Sequence, residues 1–255
     1  MKKKLGQHFL TNPDTAERIA RILNIKQDEN IMEIGPGKGF LTSFLIDYGA
    51  KVKGIEIDGK LASLLRKKFS EKDLSVINED FLRIDIERFN SKKICGNIPY
   101  QITGKIIEKI VTTKWSWEKA VLMIPYPVAL RVTAHPGESD YSALTAICRV
   151  NCDTKIEFKV SAEDFEPPPK IESAVVAFLR RKSSEDSNYY EVVKAAFSKK
   201  RKKIKNSLKM YFSISDEDAI AVLNNSGISP GQRAQAVDVE SFKRLTREVV
   251  NKNIL

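Results

Sequence analysis

Glu33-Ile34-Gly35-Pro36-Gly37-Lys38-Gly39-Phe40 joins a short apolar run to a segment that carries Leu41, Phe44, Leu45 and Tyr48 at helical spacing. Glycines at alternate positions let the backbone approach a ligand closely, and the amides that open the following helix face the same point. The stretch is not a phosphate loop, because its lysine and the Ser/Thr lack the required spacing. Nor is it the dinucleotide fingerprint, since the glycines run G-x-G-x-G and Phe40 follows. It reads as strand, ligand-facing turn and helix, the opening unit of an α/β sheet.

The alternation extends outward from this unit. Asn12-Pro13-Asp14 opens a helix whose apolar stripe is Ala16, Ile19, Ala20, Ile22 and Leu23. Strands are predicted at 30–34, 52–57, 74–77, 94–97 and 120–124, with helices near 41–48, 61–69 and 106–110. Such alternation with short connections implies a mainly parallel sheet covered on both faces, with ligands at the carboxyl ends of its strands. Two further strand-like pieces, 155–160 and 173–179, flank Phe165-Glu166-Pro167-Pro168-Pro169-Lys170 and suit an antiparallel extension. A polar linker at 183–187 precedes four helical segments, 189–197, 204–211, 216–223 and 239–250. The expected organisation is thus an α/β domain over 1–182 and a small all-α domain over 187–255.

Composition limits the class of protein. With 255 residues, 42% hydrophobic and 30% charged, the chain has the balance of a soluble globular protein. No apolar stretch approaches the roughly 18 to 20 residues that span a bilayer. The basic start runs into polar Thr11-Asn12-Pro13-Asp14 rather than a signal-peptide core, so a cytoplasmic protein is expected. The chain has three cysteines and two histidines, too few for a disulfide framework, and neither histidine is near Cys148 or Cys152. No metal is expected, and these cysteines read as buried small hydrophobes. The excess of 43 Lys+Arg over 33 Asp+Glu suits a polyanionic partner without requiring one.

Two more acids stand where strands end. Glu56 follows Gly35 by 21 positions, a spacing that suits a carboxylate holding both hydroxyls of a ribose. Asp80 ends the third strand beside Phe81 and could accept from an adenine amino group. Together with the glycine turn, they point to an adenosine-containing cofactor. Asn97-Ile98-Pro99-Tyr100 then supplies what an exocyclic adenine amine needs as a nucleophile. Its lone pair is delocalised into the ring, and an Asn carbonyl plus a backbone carbonyl at a proline turn can accept its hydrogens and favour a tetrahedral nitrogen. Tyr100 would stack on the base. A sulfonium electrophile is already activated, so positioning supplies much of the rest.

Leu5-Gly6-Gln7-His8-Phe9-Leu10, Glu33 to Thr42, Asn97 to Tyr100, the run from Phe165 to Val176, and Lys200 to Leu208 occur in an order that resembles the ribosomal RNA adenine N6,N6-dimethyltransferases. The resemblance is nearest the KsgA (RsmA) branch, which acts on the small ribosomal subunit, and it covers residues 4–245. It implies a class I S-adenosylmethionine-dependent methyltransferase with a Rossmann-like domain and a small helical C-terminal domain. It also implies transfer of four methyl groups, two to N6 of each of two adjacent adenosines near the 3′ end of 16S ribosomal RNA. By motif, His8, Leu10, Gly35, Gly37, Glu56, Asp80 and Asn97 would meet the cofactor. Asn97 and Pro99 would orient the target amine, with Tyr100 and Phe165 stacking on the extruded base.

The chain departs from that pattern at three places. Tyr126-Pro127-Val128-Ala129-Leu130-Arg131 stands where the family usually has a Gln-Lys-Glu-Val-Ala-like run before its Arg. Gln101 replaces a common Asn, and Gln232-Arg233-Ala234-Gln235-Ala236-Val237 lacks the frequent Arg-Pro-Glu form. These changes bear on contacts with RNA more than on the chemistry.

Lys199, Lys200, Arg201, Lys202, Lys203 and Lys205 put six positive charges in seven positions. On a helix they would surround much of its circumference, and they are the expected phosphate contacts. The expected partner is 16S ribosomal RNA in the assembling small subunit, with no membrane, and the protein is expected to act as a monomer. One alternative is an Erm-type methyltransferase of 23S ribosomal RNA. His8 within Gly-Gln-His-Phe, Gly35-Pro36-Gly37 and the basic segment fit the small-subunit branch better. Another is a non-catalytic assembly or transcription factor on the same fold, which the intact Asn97, Pro99, Tyr100, Glu56 and Asp80 disfavour.

Overall fold

The computed structural model describes residues 7–114, 117–182, 187–199 and 201–255. Leu5, Gly6, Lys200 and most of the expected linker, 183–186, lie outside the described residues.

The chain begins with β1 (Phe9–Leu10) and α1 (Pro13–Leu23). Asn12 caps α1, its Oδ1 accepting from the amides of Asp14 at 2.9 Å and Thr15 at 3.4 Å, and Pro13 occupies the first turn, where no amide partner is lost. Then come β2 (Asn30–Ile34), α2 (Phe40–Asp47), β3 (Lys51–Ile55), α3 (Gly59–Lys68), β4 (Leu74–Ile77), β5 (Lys93–Asn97), α4 (Thr103–Thr112) and β6 (Lys119–Pro125). Further on are α5 (Tyr126–Thr133), α6 (Ala143–Asn151), β7 (Cys152–Val160), β8 (Phe165–Glu166) and β9 (Ser173–Arg180). The chain closes with α7 (Ser187–Phe197), α8 (Ile204–Phe212), α9 (Asp216–Asn225) and α10 (Val239–Asn251). None of these helices is long and apolar enough to cross a membrane.

Seven strands form one sheet in the order β4-β3-β2-β5-β6-β9-β7. The first five are parallel, and β9 runs antiparallel to β6 from Ser173 opposite Pro125 to Leu179 opposite Lys119. From β2 the chain winds outward through β3 and β4, then returns to place β5 on the other side of β2. The crossover direction reverses there, which opens a crevice at the carboxyl ends of β2 and β5. Ile31, Ile34, Ile94, Val121 and Met123 are buried along these central strands, as near-continuous apolar runs must be when both sheet faces are covered.

Contacts divide the chain into two units, Met1–Ala129 with Asp153–Arg180, and Leu130–Cys152 with Arg181–Leu255. The second contains more than the expected 187–255, because it takes in residues 130–152. Helix α6 has a capping box between Ser142 and Thr145, packs on α7 and α10, and has Ala146, Ile147 and Val150 among its buried residues. Within this unit Tyr189, Val192, Leu208, Leu223, Phe242 and Leu245 form the interior. Ser215 caps α9 by accepting from the Asp218 amide at 3.0 Å, and Gly227 follows the helix at φ +71°. Cys95, Cys148 and Cys152 are all buried.

Gly96 on β5 lies against the Ile34 carbonyl on β2, where an added Cβ would overlap backbone. Gly96→Ala is therefore expected to lose about 1–3 kcal/mol in urea unfolding. Gly231→Ala, whose methyl would find its nearest neighbour 3.8 Å away, should stay within about 0.5 kcal/mol of the parent. Equal stability of the two variants would show that the β2–β5 approach tolerates a side chain.

Candidate active site

The crevice at the switch point holds a cavity of about 320 Å³. Its walls are the glycine turn after β2, Glu56 and Ile57 after β3, Asp80 and Phe81 after β4, and Asn97 to Ile102 after β5. Gln7 to Thr11 and Glu166 close another side.

Gly35, Gly37 and Gly39 have φ of +66°, +60° and +76°, the left-handed region that glycine enters without a Cβ penalty. Beside Gly35 the nearest atom to an added Cβ is the Asn97 carbonyl oxygen at 4.0 Å, so the turn borders open space. Over Gly37 lies the ring of Phe9, 3.1 Å from an added Cβ. Glu56 is 2% exposed, and its two oxygens accept from the amides of Gly37 at 3.0 Å and Asp58 at 2.9 Å. Burial pushes this carboxyl's pKa up, against those amides. Asp80 is half-buried; its Oδ1 accepts from the Leu82 amide at 2.9 Å, and Arg83 stands 3.7 Å from Oδ2.

Residues 7–11 cross the cavity as a strap. In β1 and β8, Phe9 pairs with Glu166 and Leu10 with Phe165. Asp164 fastens the strap further: its carbonyl accepts from the Thr11 amide at 2.8 Å, and its carboxylate accepts from Asn12 Nδ2 at 2.7 Å and Thr15 Oγ1 at 3.1 Å. The His8 ring lies 2.7 Å by Nδ1 from the Pro167 carbonyl, which requires Nδ1 to donate. The carbonyl of His8 accepts from Asn97 Nδ2 at 2.7 Å. That bond settles which end of the Asn97 amide is which, and leaves Oδ1 with no donor among the described residues. Next to it, the Pro99 carbonyl already accepts from the Ile102 amide and from Thr103 Oγ1, whereas the Ile98 carbonyl accepts nothing among the described residues. The two free acceptors are therefore Asn97 Oδ1 and the Ile98 oxygen. Tyr100 is half-buried, its ring 5.5 Å from that of His8 and its hydroxyl 2.5 Å from Ser173 Oγ.

The structure brings together His8, Leu10, Gly35, Gly37, Glu56, Asp80, Asn97, Pro99 and Tyr100 around one cavity. It does not bring Phe165 there. Alternation along β8 turns that ring into the apolar core with Leu10, at 3% exposure, and presents Glu166 to the cavity instead. The basic run is also not wound round a helix: Lys199, Arg201, Lys202 and Lys203 are exposed in the turn before α8, and only Lys205 is helical. Lys203 is the N-cap of α8, so the described cations of the run stand at the positive end of that helix and gain nothing from its dipole. Lys205 is held by Asp216 at 2.6 Å, and with Lys209 it pulls the Asp216 carboxyl down to about 2.

Glu33 was quoted in the sequence without a role. It is 1% exposed, borders the cavity and accepts from Thr42 Oγ1 at 2.7 Å. Burial, with a smaller repulsion from Glu56, pushes its pKa up to about 7 despite the Thr42 bond. An acid within the otherwise apolar run Ile31-Met32-Glu33-Ile34, two residues before the first glycine, was the signal in the sequence.

This sheet order, with a glycine turn at the switch point and acids ending the next two strands, is the fold of class I methyltransferases. The chain belongs to the ribosomal RNA adenine dimethylase family, whose model matches residues 1–251. It is 37% identical over 247 residues to a protein of Mesomycoplasma hyopneumoniae named ribosomal RNA small subunit methyltransferase A, covering 96% of this chain and 94% of that one. A crystal structure of a dimethyladenosine transferase from Plasmodium falciparum superposes with a TM-score of 0.84 at 26% identity, over 96% of this chain and 98% of that one. The 23S rRNA methyltransferase ErmE gives 0.69 at 29% identity, over 95% and 99%. Membership of this family makes the chain an enzyme of the adenine-dimethylating class.

Glu33 binds its proton more tightly folded than unfolded, between its ordinary 4.5 and about 7. Its contribution to stability therefore falls as pH rises through that window and stays low above it. Glu33→Gln, which still accepts from Thr42, should gain stability relative to the parent with rising pH, by up to about 3 kcal/mol at pH 8 and close to nothing at pH 4.5. Thermal melts at the two pH values check this, and a difference independent of pH would contradict it.

Proposed function

We propose that this enzyme transfers methyl groups from S-adenosylmethionine to N6 of two adjacent adenosines near the 3′ end of 16S ribosomal RNA, two to each, in the assembling small subunit, acting as a monomer. The observation that carries the reading is the bond from Asn97 Nδ2 to the His8 carbonyl. It holds the Asn97 oxygen, beside the Ile98 oxygen, as the paired acceptor that an exocyclic amine requires.

The residues fit the cofactor. Two buried carboxyls, Glu33 and Glu56, flank the open space beside Gly35, where an adenosine with a cationic tail is accommodated. Bound there, S-adenosylmethionine supplies a methyl group activated by its sulfonium. Glu56, fixed by the Gly37 and Asp58 amides, has lone pairs left for the ribose hydroxyls. Asp80 accepts from the adenine amino group beside Phe81, while His8 and Leu10 guard the entrance. Asn97 Oδ1 and the Ile98 carbonyl take the two hydrogens of the target amine and draw its lone pair out of conjugation, and Tyr100 stacks on the base. The backbone turn at Pro99 keeps the Ile98 oxygen available. The exposed Lys199, Arg201, Lys202 and Lys203, with Lys200 of the same run, contact phosphates.

The curated relatives support the small-subunit substrate, since they are 33–37% identical and carry the small-subunit name.

Asn97→Ala should lower kcat on unmethylated small subunits by about 100-fold or more, with the cofactor Kd changed far less. A variant as fast as the parent would remove Asn97 as the amine acceptor. Neutralising Lys199, Arg201 and Lys202 should weaken particle binding and flatten its log–log salt dependence by roughly 0.7 to 0.9 per lost phosphate contact. An unchanged slope would show that the run is merely solvated.

A further inference from the structure

Tyr126 is the first residue of α5, directly after β6, at the same carboxyl edge of the sheet as Asn97 and Tyr100. It belongs to the stretch that departs from the family pattern, and nothing in the chemistry above uses it. A row of contacts ties it to the site. The Tyr100 hydroxyl meets Ser173 Oγ at 2.5 Å, Ser173 pairs with Pro125, and the Tyr126 amide donates to the Glu172 carbonyl at 2.9 Å. On the Tyr126 ring rests the Lys159 ammonium, 4.1 Å from the centroid. Lys159 is 54% exposed, and its pairing with Glu172, 57% exposed, is long at 4.0 Å. A solvated pair of that length holds its cation weakly and leaves it available to a stronger anion.

An aromatic plane with a cation on it, beside the place where a base is drawn out, has the chemistry of a single-stranded nucleotide seat. Bases stack on such rings whatever their sequence, and the cation meets the phosphate. We propose that Tyr126 and Lys159 form a subsite for the nucleotide next to the target adenosine. The base stacks on the ring face opposite Lys159, and Lys159 exchanges Glu172 for the backbone phosphate. The inference rests on the proposed RNA methylation and extends the same site. A substrate whose two targets are adjacent must place one adenosine while the other occupies the pocket, and this seat is where the neighbour goes.

The test measures binding and turnover separately on the full chain. A single-stranded RNA heptamer containing two adjacent adenosines serves as the binding probe, and unmethylated small subunits serve as the substrate. Tyr126→Ala should weaken heptamer binding about tenfold, Tyr126→Phe should restore it, and the cofactor Kd should not move. Lys159→Gln should reduce the log–log salt slope of heptamer binding by roughly 0.7. On the particle, Tyr126→Ala should raise KM with kcat retained. Because Lys159 is exposed, its variant keeps the test decisive should Tyr126→Ala fold poorly. Heptamer binding that is the same in Tyr126→Ala as in the parent, or a Phe variant as impaired as the Ala variant, would overturn the proposal, as would an unchanged slope for Lys159→Gln. If the parent binds the heptamer through these residues yet methylates no small subunits, the seat stands and the substrate reading falls.

Discussion

The site depends on one topological constraint: β2 and β5 are neighbours in the sheet although two strands separate them in the chain. Their adjacency reverses the winding and opens the crevice, and it aims the glycine turn and the Asn-Ile-Pro-Tyr turn at the same space. Close approach is part of the constraint, since Gly96 faces the Ile34 carbonyl without a side chain between them. The strap over the crevice then adds the finer orientation. A main-chain carbonyl, that of His8, fixes the amide of Asn97, so the acceptor geometry is inherited from backbone held at Asp164 and Pro167 rather than from a mobile side chain.

Electrostatics complete the arrangement. Two carboxyls buried beside each other cost stability, and burial rather than mutual repulsion is the larger cause at both Glu33 and Glu56. That cost is reversed by a ligand that brings a positive charge and hydroxyl donors to them. A site arranged in this way is less comfortable empty than filled, a familiar compromise between stability and binding.

How much of this was legible in the sequence follows from how local each signal is. The glycine turn, Glu56, Asp80 and Asn97 to Tyr100 stand in short runs at strand ends, where periodicity alone places them, and the structure gathers them round one cavity. The β1–β8 pair is two residues on each side, separated by more than 150 positions, and no periodic pattern marks so short a ladder. With that pairing hidden, neither the inward turn of Phe165 nor the His8 carbonyl on Asn97 could be read. Helices α5 and α6 left better traces: Pro127 in a first turn, and Ser142 three residues before Thr145 at the start of an apolar run. Most of the basic run falls between the predicted helices 189–197 and 204–211, and charge spacing by itself carries no information on the backbone there.

The central claim is the transfer of methyl groups to adenosine N6 in small-subunit RNA. The most direct measurement incubates the protein and labelled S-adenosylmethionine with unmethylated small subunits and, separately, with protein-free 23S ribosomal RNA, then identifies the labelled nucleosides after digestion. The account predicts N6,N6-dimethyladenosine from the small subunits, at two adjacent positions, and no label in the 23S RNA. Label confined to the 23S RNA, or transfer to neither substrate, would contradict it.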